Sequence, residues 1–218
     1  MKKLTTLALV LVLALSLTAC GKKTPDGATG NPSEDVTQTT PVENESASLE
    51  NLMDWMRGGT FYFAYTNEME YEGIPMTSKG SYATDGGNYA ISTETTILGQ
   101  VMKNRIIAKG GVTHIIDDEE KTIRKSTADV SRYSEQIADV SKLNLKGQGQ
   151  GEVKGKVLPY EEYIDGDMTI RYYMDGGKVY AIESEGEGAK SVMVIENASK
   201  TVPKGIFDLP ADYVNLGY

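Results

Sequence analysis

Alternation with a period of two residues is the pattern that most limits how this chain can fold. From Phe61 to Tyr71 the odd positions are mostly aromatic or apolar, and the even positions become acidic. Successive side chains of a strand point to opposite faces, so the pattern predicts a long strand with one buried face. Turn sequences such as Asp85-Gly86-Gly87-Asn88 separate further stretches, because glycine permits the positive φ of tight hairpins. The predicted strands are 61–71, 75–84, 88–97, 100–108, 112–117, 121–126, 152–164, 167–174, 178–185 and 190–197.

Two segments have helical spacing instead. Ser48 to Arg57 places Leu49, Leu52, Met53 and Met56 on one face, and Gly58-Gly59 follows as a stop. Trp55 lies near the edge of that apolar stripe. A second helix is predicted from about Asp129 to Leu143. The glycine run at 147–151 is expected to be a flexible connector into the next strand.

The element order is therefore a helix, about six strands, a helix and about four strands. Consecutive hairpins favour an antiparallel meander over βαβ units. An antiparallel sheet can bury one face and leave the other in water. The sequence predicts an α+β fold, in which about two helices cover the apolar face of the sheet.

The amino terminus has the composition of an export signal. Lys2 and Lys3 precede an uncharged run from Leu4 to Leu17 that is rich in Leu, Val and Ala. The run is short for a membrane span, which needs about 20 residues, and suits the core of a signal peptide.

Leu17-Thr18-Ala19-Cys20 resembles the bacterial lipobox. The resemblance implies cleavage after Ala19 and diacylglycerol on Cys20, with acylation of the new amino terminus. An ordinary secretory signal and an uncleaved anchor are the alternatives. A single acyl chain holds a protein to a membrane only marginally, whereas two or more hold it stably. Cys20 is the only cysteine, so no disulfide forms within the chain.

Three segments follow from this interpretation: a signal peptide (1–19), a lipidated cysteine with a disordered tether (20–47), and one folded domain (48–218). Residues 21–47 have almost nothing to bury and as a coil would span on the order of 30 Å. Loss of Lys2 and Lys3 leaves 20 Lys+Arg against 31 Asp+Glu, a formal charge of −11. Phosphate contacts need clustered basic residues, so nucleic acid is excluded as a partner. The expected location is the extracytoplasmic face of a cell membrane.

The end of the chain resembles a known family. The sequence Pro203-Lys204-Gly205-Ile206-Phe207-Asp208-Leu209-Pro210-Ala211-Asp212-Tyr213 is similar to the close of domains in the superfamily of the lipoprotein carriers LolA and LolB. The predicted element order over 48–213 is also similar. The resemblance implies a strongly curved antiparallel sheet, an incomplete β-barrel, whose open side is plugged by helices. It also implies an apolar cavity for acyl chains between sheet and helices.

Candidate lining residues of such a cavity lie on the first helix and on one face of the long strands. An alternative is a filled core, which every sheet needs. Methionine favours an adaptable lining, and eight of the nine methionines follow the initiator. The candidates are Met53, Trp55, Met56, Phe61, Phe63, Tyr65, Met69, Met168, Ile170 and Tyr172.

Signatures of enzymes and metal sites are missing from the sequence. His114 is the only histidine, on a predicted strand, and no Gly-x-Ser-x-Gly elbow is present. The acidic run Asp117-Asp118-Glu119-Glu120 lacks the ligand spacing of a calcium loop and predicts a solvated turn. We therefore expect neither catalysis nor a cofactor or metal ion. Two functions remain open: a module that binds a lipid or other apolar ligand, and an interaction or sensory protein with a filled core.

Overall fold

A computed structural model describes residues 48–127, 142–186 and 188–217. These residues form a sheet of 12 strands in the order β12-β6-β5-β4-β3-β2-β1-β11-β10-β9-β8-β7. One α-helix, α1 (Leu49–Gly58), precedes the sheet in the described residues. The strands are β1 (Thr60–Tyr71), β2 (Ile74–Asp85), β3 (Asn88–Ile97), β4 (Gln100–Lys109), β5 (Val112–Asp117), β6 (Thr122–Ser126), β7 (Asn144–Val153), β8 (Lys156–Asp165), β9 (Met168–Asp175), β10 (Lys178–Gly186), β11 (Ala189–Ser199) and β12 (Val214–Asn215).

The sheet consists of two meanders joined at β1. Strands β1–β6 pair in sequence order on one side, and β7–β11 do so on the other. β1 pairs with both β2 and β11, so it lies where the meanders meet. Every pair is antiparallel except β12 with β6, which is parallel. The predicted open, antiparallel sheet is confirmed.

α1 begins and ends where its sequence dictates. The Ser48 side chain accepts a hydrogen bond from the Asn51 amide at 3.2 Å, which caps the amino terminus. Gly59, with φ of 71°, adopts the left-handed conformation that ends the helix. Leu52 and Met53 are each 2% exposed, so the predicted apolar stripe faces the sheet.

We name the two faces of the sheet by what covers them. The helix face carries Phe61 and Phe63 of β1, which pack against Trp55 and Met56 of α1. α1 also contacts a second apolar cluster on the same face, around Ile170 and Tyr172 of β9. Trp55 and Met56 contact both clusters and so join the two meanders beneath one helix.

The tail face is the opposite side, and the family-like ending of the chain packs on it. Ile206, Phe207 and Leu209 contact a cluster of small and branched residues on β2–β6. Pro203 is buried at the start of this segment. The motif that resembles LolA and LolB is therefore a structural closure of the tail face.

Tyr213 fixes the end of this segment. Its hydroxyl donates a hydrogen bond to Asp118 at 2.9 Å, and Arg105 lies 3.1 Å from the same carboxylate oxygen. Burial, followed by the hydrogen bond to Asp118, raises the pKa of Tyr213 to about 12. Val214 donates to the Lys121 carbonyl, and Leu216 donates to β6, at 2.9 Å each.

On the second meander the tail face carries an ion cluster. Arg171 donates to Glu162 and to Glu183, each at 2.6 Å, and Lys146 also reaches Glu162 at 2.8 Å. The Glu162 and Glu183 side chains are only 11% and 9% exposed, so their charges need these partners. The hydrogen bonds from Lys146 and Arg171 lower the pKa of Glu162.

Several expectations from the sequence need correction. The described residues contain one helix over the sheet rather than about two, and the helix predicted over 129–143 lies almost wholly outside them. The run at 147–151 is not a connector but part of β7, paired with β8. The predicted strand 152–164 is instead divided by a turn at Lys154-Gly155, where both residues have positive φ. β12 was not predicted.

Two of the three glycines of β7, Gly149 and Gly151, lie against tyrosine rings. A Cβ atom at Gly149 would lie 2.7 Å from the Tyr160 hydroxyl, and one at Gly151 would lie 3.2 Å from that of Tyr173. The rings cover the tail face of the strand, and a side chain at Gly149 would collide with the ring of Tyr160. The composition of residues 147–151 suggested a flexible segment. The tyrosine rings that cover this run come from β8 and β9, so the run itself gives no sign of them.

Substitution Tyr213→Phe tests whether the hydrogen bond from Tyr213 to Asp118 stabilises the folded protein. At neutral pH we expect a loss of about 1 kcal/mol in the free energy of unfolding, the usual value of one such hydrogen bond. Because the folded-state pKa exceeds the ordinary value of about 10, the contribution of Tyr213 is complete below about pH 10. It is lost as the pH rises towards the folded-state pKa of about 12.

Urea unfolding of both proteins between about pH 8 and about pH 12 measures this effect. The difference in stability should shrink above about pH 10, since the other tyrosines titrate alike in both proteins. A difference that stays constant over the whole range would show that Tyr213 is not coupled to Asp118.

Candidate functional site

The methionines are distributed on one side of the sheet. All eight that follow Met1 lie in described residues, and every one is on the helix face or on α1. Met53 and Met76 are buried, at 2% and 6% exposure, and the other six are half-buried. Methionine is flexible and polarisable and suits apolar surfaces that must adapt to different partners.

Four of these methionines form a strip that extends from β11 to β4. Met69 of β1 is directly opposite Met76 of β2, which is opposite Ile97 of β3. Met193 of β11 and Met102 of β4 extend the row on either side. From β11 to β4 there are four strand intervals, or about 19 Å at the usual spacing. We call Met69, Met76, Met102 and Met193 the methionine strip.

The ten lining residues predicted from the sequence divide into two groups. Five are at most 5% exposed and lie in the clusters that α1 covers, so a ligand could reach them only by displacing protein: Met53, Phe61, Phe63, Ile170 and Tyr172. The other five are half-buried: Trp55, Met56, Tyr65, Met69 and Met168. Nine of the ten belong to the two clusters on the helix face, and Met69 lies beyond them in the methionine strip.

Tyr65 lies between the packed aromatic cluster and the methionine strip. Its ring centroid is 5.6 Å from that of Phe63. The hydroxyl extends over Gly80, where a Cβ atom would be 3.2 Å from it. Burial raises the pKa of Tyr65, so it stays neutral at physiological pH and presents a hydroxyl within an apolar surface.

Asn67 is a polar residue on this surface. It lies on β1 between Tyr65 and Met69, opposite Met193 of β11. Its side-chain oxygen is buried and has no hydrogen-bond partner among the described residues. A buried acceptor without a donor costs about 1–3 kcal/mol, so such groups need an explanation.

Sequence reasoning did not find Asn67, Met76, Met102 or Met193. A signal existed for Met76, because a two-residue hairpin turn fixes its own register. The turn at Glu72-Gly73 requires Met69 to be opposite Met76. No comparable signal was available for Met193, because its neighbour β1 is distant in sequence.

Two clefts among the described residues are open to solvent. One of about 480 Å³ is lined mainly by β7 and β8, including Gln148, Tyr160 and Met174. The other, about 300 Å³, lies beside Glu70 and Lys190. Neither is an enclosed apolar chamber.

The described residues offer few groups for chemistry. His114 is buried on the tail face with Nδ1 3.3 Å from the Ile107 carbonyl oxygen. Residues 48–127, 142–186 and 188–217 contain no cluster of three His, Cys, Asp or Glu that could hold a metal ion. Among the same residues no helix has the length and hydropathy needed to cross a membrane.

Several solved structures are similar to this chain at low sequence identity and with TM-scores below 0.5. An uncharacterized conserved protein from Thermus thermophilus is 8% identical, with a TM-score of 0.43, over 78% of this chain and 98% of that one. LprF from Mycobacterium bovis is 8% identical, with a TM-score of 0.43, over 71% of this chain and 92% of its own. A LolA superfamily protein from Nitrosomonas europaea is 10% identical, with a TM-score of 0.38, over 75% of this chain and 99% of its own.

A LolA superfamily protein is thus among the structures that this chain is similar to. No family model matches the chain, and no curated protein matches it either.

Replacing the unpaired acceptor tests whether it costs stability. Asn67→Leu should raise the melting temperature by about 3 °C, since it removes a buried unpaired oxygen worth about 1 kcal/mol. Differential scanning calorimetry without added ligand measures the change. Asn104→Leu on β4 is the control, because Asn104 lies on the same face and leaves no buried oxygen unpaired among the described residues. A lower melting temperature for Asn67→Leu alone would show that Asn67 is a structural group.

Proposed function

We propose that this protein is a membrane-anchored extracytoplasmic lipoprotein whose helix face binds a lipid or another apolar ligand without catalysing a reaction. The placement of all eight methionines on the helix side carries the proposal. A core needs apolar volume but has no need of methionine in particular. Six of the eight side chains are half-buried, which leaves apolar atoms available to a ligand.

The methionine strip is the part of the helix face that suits a ligand best. Under α1 the side chains already fill the space, and Tyr172 and Phe61 are 1% and 2% exposed. Met69, Met76 and Met102 lie outside the clusters of this packed region, and Met193 packs at its edge. An acyl chain along it would gain about 0.8 kcal/mol for each methylene removed from water. Affinity of this kind selects apolar length more than head-group chemistry.

Asn67 supplies a polar contact within the strip. Apolar sites usually contain a few polar groups that fix the orientation of the ligand. The buried oxygen of Asn67 can accept a hydrogen bond from a hydroxyl or amide of the ligand. The cost of the unpaired oxygen in the free protein would then be recovered on binding.

Anchoring is the second component of the proposal. Diacylglycerol on Cys20 would hold the protein at the membrane, and residues 21–47 would let the domain stand on the order of 30 Å away. The mature charge of −11, from 20 Lys+Arg and 31 Asp+Glu, disfavours adsorption on anionic head groups. The lipid therefore has to supply the attachment.

A filled core supports a second candidate function. The clusters under α1 include stacked rings, with the centroids of Phe61 and Tyr82 only 5.4 Å apart. If the strip is also closed in solution, the protein would act through its surface as an envelope interaction or sensory protein. A bound lipid separates the two candidates.

Binding of a fluorescent fatty acid tests the site when it is compared between substitutions at two neighbouring residues. Met193 and Val192 are both half-buried on β11, but Met193 is on the helix face and Val192 on the tail face. Met193→Lys should weaken binding by at least about tenfold, because it puts a charge in an apolar site. Val192→Lys should leave the affinity within about twofold of the unsubstituted protein.

The measurement uses a chain from Gly21 onward, made without lipid, and native mass spectrometry of the same sample detects bound phospholipid. Circular dichroism confirms that both variants fold. If neither probe nor phospholipid binds the folded protein, the filled-core function is favoured. Equal losses in both variants would place binding elsewhere.

Substitution of the anchoring cysteine tests localisation. Cys20→Ala removes the thiol that would carry diacylglycerol, so the chain should move from the membrane fraction into the soluble fraction or remain uncleaved. Labelled palmitate should enter the unsubstituted chain and not the variant. Labelling of Cys20→Ala would show that the lipid is attached elsewhere.

A further inference from the structure

The two faces of strands β1–β4 differ in charge. Side chains alternate between the faces of a strand, so the paired registers assign each residue of these strands to one face. On the helix face, β1–β4 carry no Asp, Glu, Lys, Arg or His. On the tail face they carry eight ionised side chains: Glu68, Glu70, Lys79, Asp85, Glu94, Lys103, Arg105 and Lys109. A charged group placed on the helix face of these strands would therefore meet no opposite charge there.

The same helix face is not uniformly apolar, because neutral polar side chains cross it. Asn67 of β1 is opposite Ser78 of β2, which is opposite Thr95 of β3. In the next row, on the side nearer to α1, Thr93 of β3 is opposite Asn104 of β4. All five residues are half-buried, and we call them the polar band. The band extends over three strand intervals, or about 14 Å at the usual spacing.

Apolar side chains enclose the polar band. The methionine strip borders it at both ends, because Met193 is opposite Asn67 and Met102 is opposite Thr95. On the side nearer to α1 lies the aromatic cluster that includes Tyr82. Polar groups that apolar neighbours shield from water form stronger hydrogen bonds, and a charge beside them is costly.

We infer that the polar band receives the head group of the bound lipid, and that this head group is uncharged and carries hydroxyl groups, as in an acylglycerol. The inference rests on the proposed function and specifies its ligand. An acyl chain along the methionine strip would provide most of the affinity. The polar band would select among head groups on chains of the same length.

Asn67 is the reason for a hydroxyl group. Its buried side-chain oxygen is an acceptor without a donor among the described residues, so the ligand has to supply the donor. The hydroxyls of Ser78 and Thr95 can donate as well as accept, and they can pair with an ester carbonyl. A plain ester would leave the oxygen of Asn67 unpaired.

Anionic lipids suit this surface less well. A carboxylate or phosphate in the polar band would be withdrawn from water with no cation on the helix face of β1–β4. The lysines of these strands are on the tail face. There, Lys79 and Lys103 lie 3.1 and 3.9 Å from the carboxylate oxygens of Glu94. The sheet itself separates these charges from the head group.

Binding of four lipids with ten-carbon chains tests the head group. Isothermal titration calorimetry at about pH 8 compares monodecanoylglycerol, decyl glucoside, methyl decanoate and decanoate, each below its micelle-forming concentration. The protein is the lipid-free chain from Gly21 onward, which keeps every described residue.

The first two lipids carry hydroxyls and no charge, and they distinguish a glycerol from a sugar head group. At least one of them should bind about fivefold more tightly than methyl decanoate, which has no hydroxyl. Decanoate is ionised at this pH and should bind at least about tenfold more weakly than the preferred hydroxyl lipid. A surface that recognises only the chain would instead favour methyl decanoate, because its head group is the least polar.

Substitutions of similar shape assign the selectivity to the polar band. Asn67→Leu should weaken the preferred hydroxyl lipid by at least about fivefold and leave methyl decanoate within about twofold. Thr95→Val should weaken the hydroxyl lipid by about fivefold. Thr96→Val is the matched control, because Thr96 is the next half-buried threonine of β3 and is on the tail face. It should change neither affinity by more than about twofold, and circular dichroism confirms that each variant folds.

The outcomes distinguish this inference from the proposed function. Methyl decanoate or decanoate binding as tightly as both hydroxyl lipids would overturn the inference, although lipid binding would stand. Equal losses for the hydroxyl lipid and methyl decanoate in Asn67→Leu would also overturn it, since Asn67 would then act only through the fold. If none of the four lipids binds the folded, unsubstituted chain, the proposed function fails together with the inference.

Discussion

The pairing of β1 with β11 is the interaction on which the rest of the structure depends. It joins two strands that are distant in sequence and merges two local meanders into one sheet. Without it the clusters under α1 would belong to separate sheets, and Trp55 and Met56 could not contact both. The bulge between Ala64 and Tyr65 also arises in this pairing. Beyond it, Tyr65 and Asn67 are opposite Ile195 and Met193.

Local structure was largely predictable from the sequence, because it follows from turns and periodicity. α1 and the hairpins of the first meander agree with the prediction to within a few residues. β7 was missed because tyrosine rings from other strands pack against Gly149 and Gly151, which composition does not reveal. The division at Lys154-Gly155 was missed because lysine is uncommon at positive φ.

The candidate site was only partly predictable. The apolar face of β1 could be recognised from alternation, but alternation does not distinguish a filled core from an available surface. That distinction depends on which side chains α1 covers, and α1 covers five of the predicted residues almost completely. The methionine strip extends across β11, β1, β2 and β4, so only the sheet order brings it together. Asn67 had no signal of its own, because an asparagine in a strand is usually solvated or paired.

The carboxyl-terminal residues change what one edge of the sheet can do. Val214 and Leu216 donate to the carbonyl groups of Lys121 and Ile123, so these backbone acceptors are already paired within the chain. The strand that covers β6, β12, has only two residues. A strand this short offers little backbone for pairing with another molecule, which is the usual danger of a long exposed edge. The residues that resemble a family signature thus lead into a segment that protects β6 from edge-to-edge aggregation.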